Sequence, residues 1–170
     1  PSIIAPDGVE LEATSSGSIV DIDNPVYDDL VDIASVTNDA PDTFPLGETV
    51  VTWTATDSSG NSATATQTVS VVDTTAPSIT SPNNITIEAT GVEGNLVDME
   101  IATANDAVDI ASVTNDAPDT FPLGETVVTW TATDSSGNSA TAAQTVSVVD
   151  TTAPSIIAPD GVELEATSSG

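Results

Sequence analysis

The chain repeats itself. Residues 31–79 recur as residues 108–156 at an offset of 77, and only one of those 49 positions differs, Thr66 against Ala143. Residues 1–17 return unchanged as residues 154–170, at an offset of 153. A period of this length means a string of structural units built the same way, each touching mainly its neighbours. The expected organisation is one unit over 1–76, a second over 77–153, and the opening of a third over 154–170. The chain is then a window on a longer array.

Each unit reads as β. In Glu48–Thr56, Val51, Trp53 and Ala55 alternate with Val50, Thr52 and Thr54, the period-2 pattern of a strand with one buried face. Asp57-Ser-Ser-Gly-Asn61 is a turn by composition, and Ser62–Asp73 alternates again, so the pair is a hairpin. Earlier strands are expected at Val9–Thr14, Ile19–Ile22 and Ser35–Asn38, with a bend at Phe44-Pro-Leu-Gly47. No segment carries a helical stripe. About seven short antiparallel strands per unit fit a two-sheet sandwich. Its small core must close around one large residue, Trp53 or Trp130.

The stretch Phe44 to Ala63, FPLGETVVTWTATDSSGNSA, is followed by Val69-Ser-Val-Val-Asp-Thr-Thr-Ala-Pro77. It resembles the hyalin repeat (HYR) domain, and Phe121 to Ala140 with Val146 to Pro154 matches equally. The resemblance covers both complete units. It implies tandem immunoglobulin-like antiparallel β-sandwich domains in an extracellular, cell-surface or adhesive protein. The chain lacks the cysteine pair of many members, which suggests a prokaryotic version.

Composition narrows the function. The chain has no Lys, Arg, His or Cys, and its 27 acidic residues give a formal charge of −27. Without imidazole, thiol or amine side chains there is no Ser-His-Asp triad, no Schiff-base lysine and no Cys/His zinc site. A carboxylate-pair hydrolase is the only enzyme class left. Five aromatic residues argue against its usual aromatic-lined cleft. The chain is therefore expected not to be an enzyme. Nucleic acid needs positive charge to displace its counterions, so it is excluded as a partner. Direct membrane insertion is not expected, because no apolar run approaches the ~20 residues of a span. No signal-peptide pattern opens the chain, as expected of a mature or internal segment.

Such one-signed charge repels itself, and oxygen-only ligands point to Ca²⁺ as the relief. The competing interpretation is a merely solvated acidic surface. In a seven-strand sandwich the loops Asn105–Asp109 and Asp134–Asn138 reach the same end of the second unit. The preceding unit delivers Asp73-Thr-Thr-Ala-Pro77 to that end. Asp73, Asp106, Asp109 and Asp134 are therefore expected to form one junction Ca²⁺ site. Asp29, Asp32 and Asp57 are the matching half-site in the first unit, and Asp150 is the matching residue before the third. The rival role for Asp57 and Asp134 is capping their own turns. Asp39, Asp42, Asp116 and Asp119 read as turn formers. Asn84-Ile-Thr86 is the one N-glycosylation sequon, so Asn84 is a candidate for a surface glycan.

The function these readings favour is a structural stalk, adhesin or filament segment, rigidified by Ca²⁺ at its junctions. Its partners are the neighbouring repeats, with other copies of the chain if an edge strand pairs across a filament. The alternative is an adhesive module that itself recognises a glycan or protein. Tyr27, the one aromatic without a counterpart in the other unit, is its candidate residue.

Overall fold

The structure, a computed structural model, describes residues 1–15, 17–92 and 94–161. The architecture is all-β, with two immunoglobulin-like sandwiches in tandem. The first contains β1 (Ser2–Ile4), β2 (Val9–Glu12), β3 (Gly17–Ser18), β4 (Val26–Asp28), β5 (Ser35–Asn38), β6 (Phe44–Pro45), β7 (Gly47–Thr56) and β8 (Ser62–Val72). The second contains β9 (Ser78–Thr80), β10 (Ile85–Glu88), β11 (Thr103–Asn105), β12 (Ser112–Asn115), β13 (Gly124–Thr133) and β14 (Ser139–Val149).

The hairpin β7–β8 forms where the alternation places it. Asp57 builds its turn: Oδ1 accepts the Ser59 and Asn61 amides, each at 2.8 Å. Gly60 takes φ +86°, a left-handed conformation that glycine enters without a Cβ penalty. Around the hairpin lies the sheet β2-β8-β7-β5, repeated as β10-β14-β13-β12. These sheets are not wholly antiparallel, because β2 runs parallel to β8, and β10 parallel to β14. The opposite layer holds β1–β4 and β3–β6 in the first unit. In the second it holds β9–β11 and a single bridge from Asn95 to Phe121.

Val51, Trp53 and Ala55 are buried as the period predicts, and the first two pack with Phe44, Val69 and Val71. Both tryptophans are core residues. Each donates its indole N–H to a buried glutamine, Trp53 to Gln67 at 3.2 Å and Trp130 to Gln144 at 3.0 Å. The glutamines in turn donate to the Asp7 and Asn83 carbonyls.

Two expected features differ. Ile19–Ile22 pairs with no strand; the paired segments flank it as β3 and β4. Val20 and Ile22 still pack on the core, while Ile19 is exposed and Pro25 offers no N–H to a ladder. Phe44-Pro45 is a short paired strand as well as a bend. Residues 154–161 of the expected third unit are exposed and carry no strand, and 162–170 lie outside the described residues.

The two units also provide an internal comparison. Asn95 is buried, accepts from the Thr90 amide at 2.7 Å, and donates to the Phe121 carbonyl at 3.1 Å. Its counterpart Ser18 is equally buried, and its hydroxyl finds no partner among the described residues. Asn95→Ala is expected to cost the second unit about 1–3 kcal/mol by orphaning buried groups. Ser18→Ala should leave the first unit unchanged or more stable. Urea unfolding of the two variants measures both effects, and equal losses would refute the comparison.

Candidate metal centre

The linker Asp73–Pro77 joins β8 to β9, and Asp106 and Asp134 begin the two loops of the second unit that face it. Carboxylate oxygens of Asp73, Asp106 and Asp134 all lie within 4.8 Å of one another. Asp134 is buried, 3% exposed. No basic side chain exists anywhere in the chain to offset this charge. Like charges at such separations repel by roughly 1 kcal/mol per pair in water and several times that near a protein surface.

Neutral donors hold the carboxylates in place. Asn138 gives its backbone N–H to Asp134 Oδ1 at 2.8 Å and its side-chain amide to Asp134 Oδ2 at 2.9 Å. That same amide reaches the Asp73 carbonyl at 3.0 Å, and the Ser136 hydroxyl reaches Asp73 Oδ2 at 3.0 Å. Asp106 Oδ1 accepts the Val108 amide at 2.8 Å. Val108 itself packs against the core of the first unit. The junction is thus bridged by polar and apolar contacts, and each of the three aspartates brings a carboxylate oxygen to the cluster.

Asp109 stands apart from the three. Its Oδ1 accepts the Ser135 amide at 3.1 Å and its Oδ2 the Ser135 hydroxyl. Those bonds, the hydroxyl first, hold its carboxyl below the usual carboxylate range. It ties one loop to the other beside the cluster. Turn capping and clustering are also not exclusive: Asp134 caps its turn and still belongs to the cluster.

The half-site of the first unit repeats this arrangement. Asp32 accepts from the Ser58 amide and hydroxyl, and Asp57 from Asn61. The Asn61 side chain is the largest influence holding the Asp57 carboxyl low. Asp29 Oδ1 accepts the Val31 amide at 2.9 Å. Asp150, before the third unit, accepts the Thr152 amide at 3.1 Å and joins no cluster among the described residues.

Sequence reasoning missed Glu12 and Glu88. Glu12 accepts the Thr74 amide and hydroxyl, each at 2.8 Å, and the Thr75 hydroxyl at 2.7 Å. Glu88 accepts the same set from Thr151 and Thr152. Hydroxyl donation, from Thr75 to Glu12 and from Thr151 to Glu88, is the largest influence lowering each pKa. Each glutamate clamps the segment leaving its own unit. One signal was available: Glu-Ala-Thr recurs at 12–14 and 88–90, inside regions that otherwise diverge. Asp39 and Asp116 also do more than form turns, since each accepts an amide of the neighbouring strand, Thr52 or Thr129, at 2.6 Å. Asn84 is exposed, and its Oδ1 accepts the Thr145 amide at 2.9 Å. Tyr27 sits in β4 opposite Ile3, 49% exposed.

With this geometry in view, comparison with known proteins is informative. The HYR domain model matches residues 1–71 and again 72–148. Hyalin of Lytechinus variegatus is 41% identical over 175 residues, covering 94% of this chain and 33% of that protein. Hyalin of Strongylocentrotus purpuratus is 43% identical over 141 residues, covering 78% of this chain and 12% of that protein. A rat protein described as sushi, von Willebrand factor type A, EGF and pentraxin domain-containing protein 1 is 38% identical over 104 residues, covering 59% of this chain and 3% of that protein. The chain thus spans a third or less of these relatives. They are eukaryotic, so the expectation of a prokaryotic version is not borne out. Among solved structures, the protocadherin gamma C5 EC1-3 fragment is similar at a TM-score of 0.37 and 14% identity, over 86% of this chain and 67% of that one.

Proposed function

We propose, on the premise that this chain belongs to the HYR domain family, that it is a load-transmitting segment of an extracellular adhesive array stiffened by Ca²⁺ between units. The observation that carries this reading is the convergence of Asp73, Asp106 and Asp134 across the junction. Hard oxygen ligands without nitrogen or sulfur suit Ca²⁺, which accepts six to eight oxygens including backbone carbonyls. A cation there would bind two units at once and turn self-repulsion into cross-linking. The Glu12 clamp and the Val108 contact already restrict the linker, so little ordering is left for the ion to impose.

The names of the relatives, hyalin and a multi-domain protein with von Willebrand factor type A and EGF modules, support an extracellular setting. Neighbouring repeats are the first partners of each unit, and lateral contacts with other copies would use exposed strand edges. Ca²⁺ rather than catalysis is the chemistry these residues offer. A glycan on the Asn84 amide nitrogen would leave the bond from its oxygen to Thr145 in place.

The test is thermal unfolding and small-angle scattering of the chain with Ca²⁺ and with chelator. Ca²⁺ is expected to raise the Tm and lengthen the pair of units. Asp73→Asn should remove both responses while each unit stays folded. If neither quantity responds to Ca²⁺, or if Asp73→Asn keeps the full response, the junction is not the working site.

A further inference from the structure

We infer that the first unit carries a binding cleft for a neutral oligosaccharide, separate from the junction. Between the two layers, beside the edge strand β5, lies a cavity of about 670 Å³. Asn24, Pro25 and Tyr27 line it from the β4 segment, Ser35 and Asn38 from β5, and Trp53 from β7. Its volume falls within the range of small-ligand sites.

Three observations select the ligand. First, no lining residue is charged, although the chain carries −27. The surrounding field repels acidic sugars, and the cleft offers a cation no carboxylate. Second, the walls pair an aromatic ring with two primary amides and a serine hydroxyl. That combination gives a flat apolar face, plus donors and acceptors on both sides of it. A sugar ring has the matching form, with C–H faces and a rim of hydroxyls.

Third, the wall that differs between the units is the one that makes the cleft distinctive. Ser35, Asn38 and Trp53 recur as Ser112, Asn115 and Trp130, inside the near-identical block. Asn24, Pro25 and Tyr27 are replaced by Ile101, Ala102 and Ala104. The second unit has therefore lost one amide and the tyrosine ring. Tyr27 belongs to the inner face of β4, because its partner Ile3 packs on the core. It stays 49% exposed because β5 pairs only with β7 and leaves that side of the sandwich open. An exposed inward-facing aromatic at an open edge is available to a ligand.

The experiment is a titration of the whole chain with neutral glucan, mannan and N-acetylglucosamine oligomers, followed by ligand-observed NMR in Ca²⁺ and again in chelator. One oligomer series is expected to bind at one site per chain, equally in both conditions, because the cleft does not involve the junction. Tyr27→Ala and Asn24→Ile should each weaken it by about tenfold or more, the scale of one lost aromatic or amide contact. Both changes install residues the second unit already carries, Ala104 and Ile101, so the fold accommodates them. Asn115→Ala, in the second unit, should change nothing. No binding by any series at millimolar concentration, or binding indifferent to Tyr27→Ala, overturns the assignment. Binding of an extended peptide at β5 with no sugar bound would overturn it too, assigning the edge to strand addition instead.

Discussion

Trp130→Ala is expected to unfold the second unit at room temperature or leave it barely folded, while the first unit keeps its stability. The ring is 2% exposed and packs in a cluster with three valines, Phe121 and Ala102, bordered by partly buried isoleucines and Met99. Truncating such a residue costs about 3–5 kcal/mol, the transfer of the ring plus the cavity it leaves. A second loss adds to it. The indole N–H satisfies Gln144 Oε1 at 3.0 Å, and Gln144 is itself 1% exposed. Without the indole that oxygen is buried and unpaired, at a further cost of about 1–3 kcal/mol. Small domains have little more stability than that sum. Trp130→Phe separates the two contributions, since it restores most of the volume and none of the hydrogen bond. Urea unfolding resolves the units when Trp53 fluorescence, which then reports on the first alone, is set beside circular dichroism, which reports on both. Two intact transitions by circular dichroism in Trp130→Ala would refute the role given to the ring.

The pH profile is the second large effect. In chelator the Tm should rise as pH falls from 7 towards about 5, then drop below roughly pH 4. The rise comes from the net charge of −27, whose self-repulsion fades as carboxylates gain protons. The drop comes from particular carboxyls. Glu12 and Glu88, bonded by threonine hydroxyls, and Asp57 and Asp109, bonded by Asn61 and Ser135, all have depressed pKa values in the folded chain. A group depressed on folding contributes stability above its unfolded pKa, about 3.9 for Asp and 4.3 for Glu, and loses it as pH falls through the folded value. With Ca²⁺ the neutral end should be lifted most, and the two profiles should converge near pH 4, where protons displace the ion. A chelator profile that only falls from pH 7 downwards would show that repulsion is not the dominant force.

The strands that carry the core were legible because their information is local. Period-2 alternation in Glu48–Thr56 specifies which side chains face inward whatever lies opposite, and Asp57-Ser-Ser-Gly-Asn61 closes its turn with its own atoms. The repeat likewise determined that both units would share this hairpin. The junction was legible in part. Topology alone placed Asp73 near Asp106 and Asp134, because strand count decides which loops share an end.

What only the tertiary structure decided depends on partners far apart in the chain. Glu12 meets Thr74 across 62 residues, and the recurrence of Glu-Ala-Thr at 12–14 and 88–90 marks the glutamate without naming its partner. Gln67 and Gln144 look like surface positions in a polar stretch until a buried indole supplies the donor that makes their burial tolerable. The same loop topology grouped Asp109 with the other three, yet its carboxylate bonds the Ser135 amide and hydroxyl beside the cluster. Ser18 and Asn95 occupy equivalent places with opposite outcomes, one hydroxyl orphaned and one amide bonded through both its oxygen and its nitrogen. Alternation and turn chemistry are short-ranged and survive in the sequence. Hydrogen bonds between distant side chains exist only once folding has fixed the path between them.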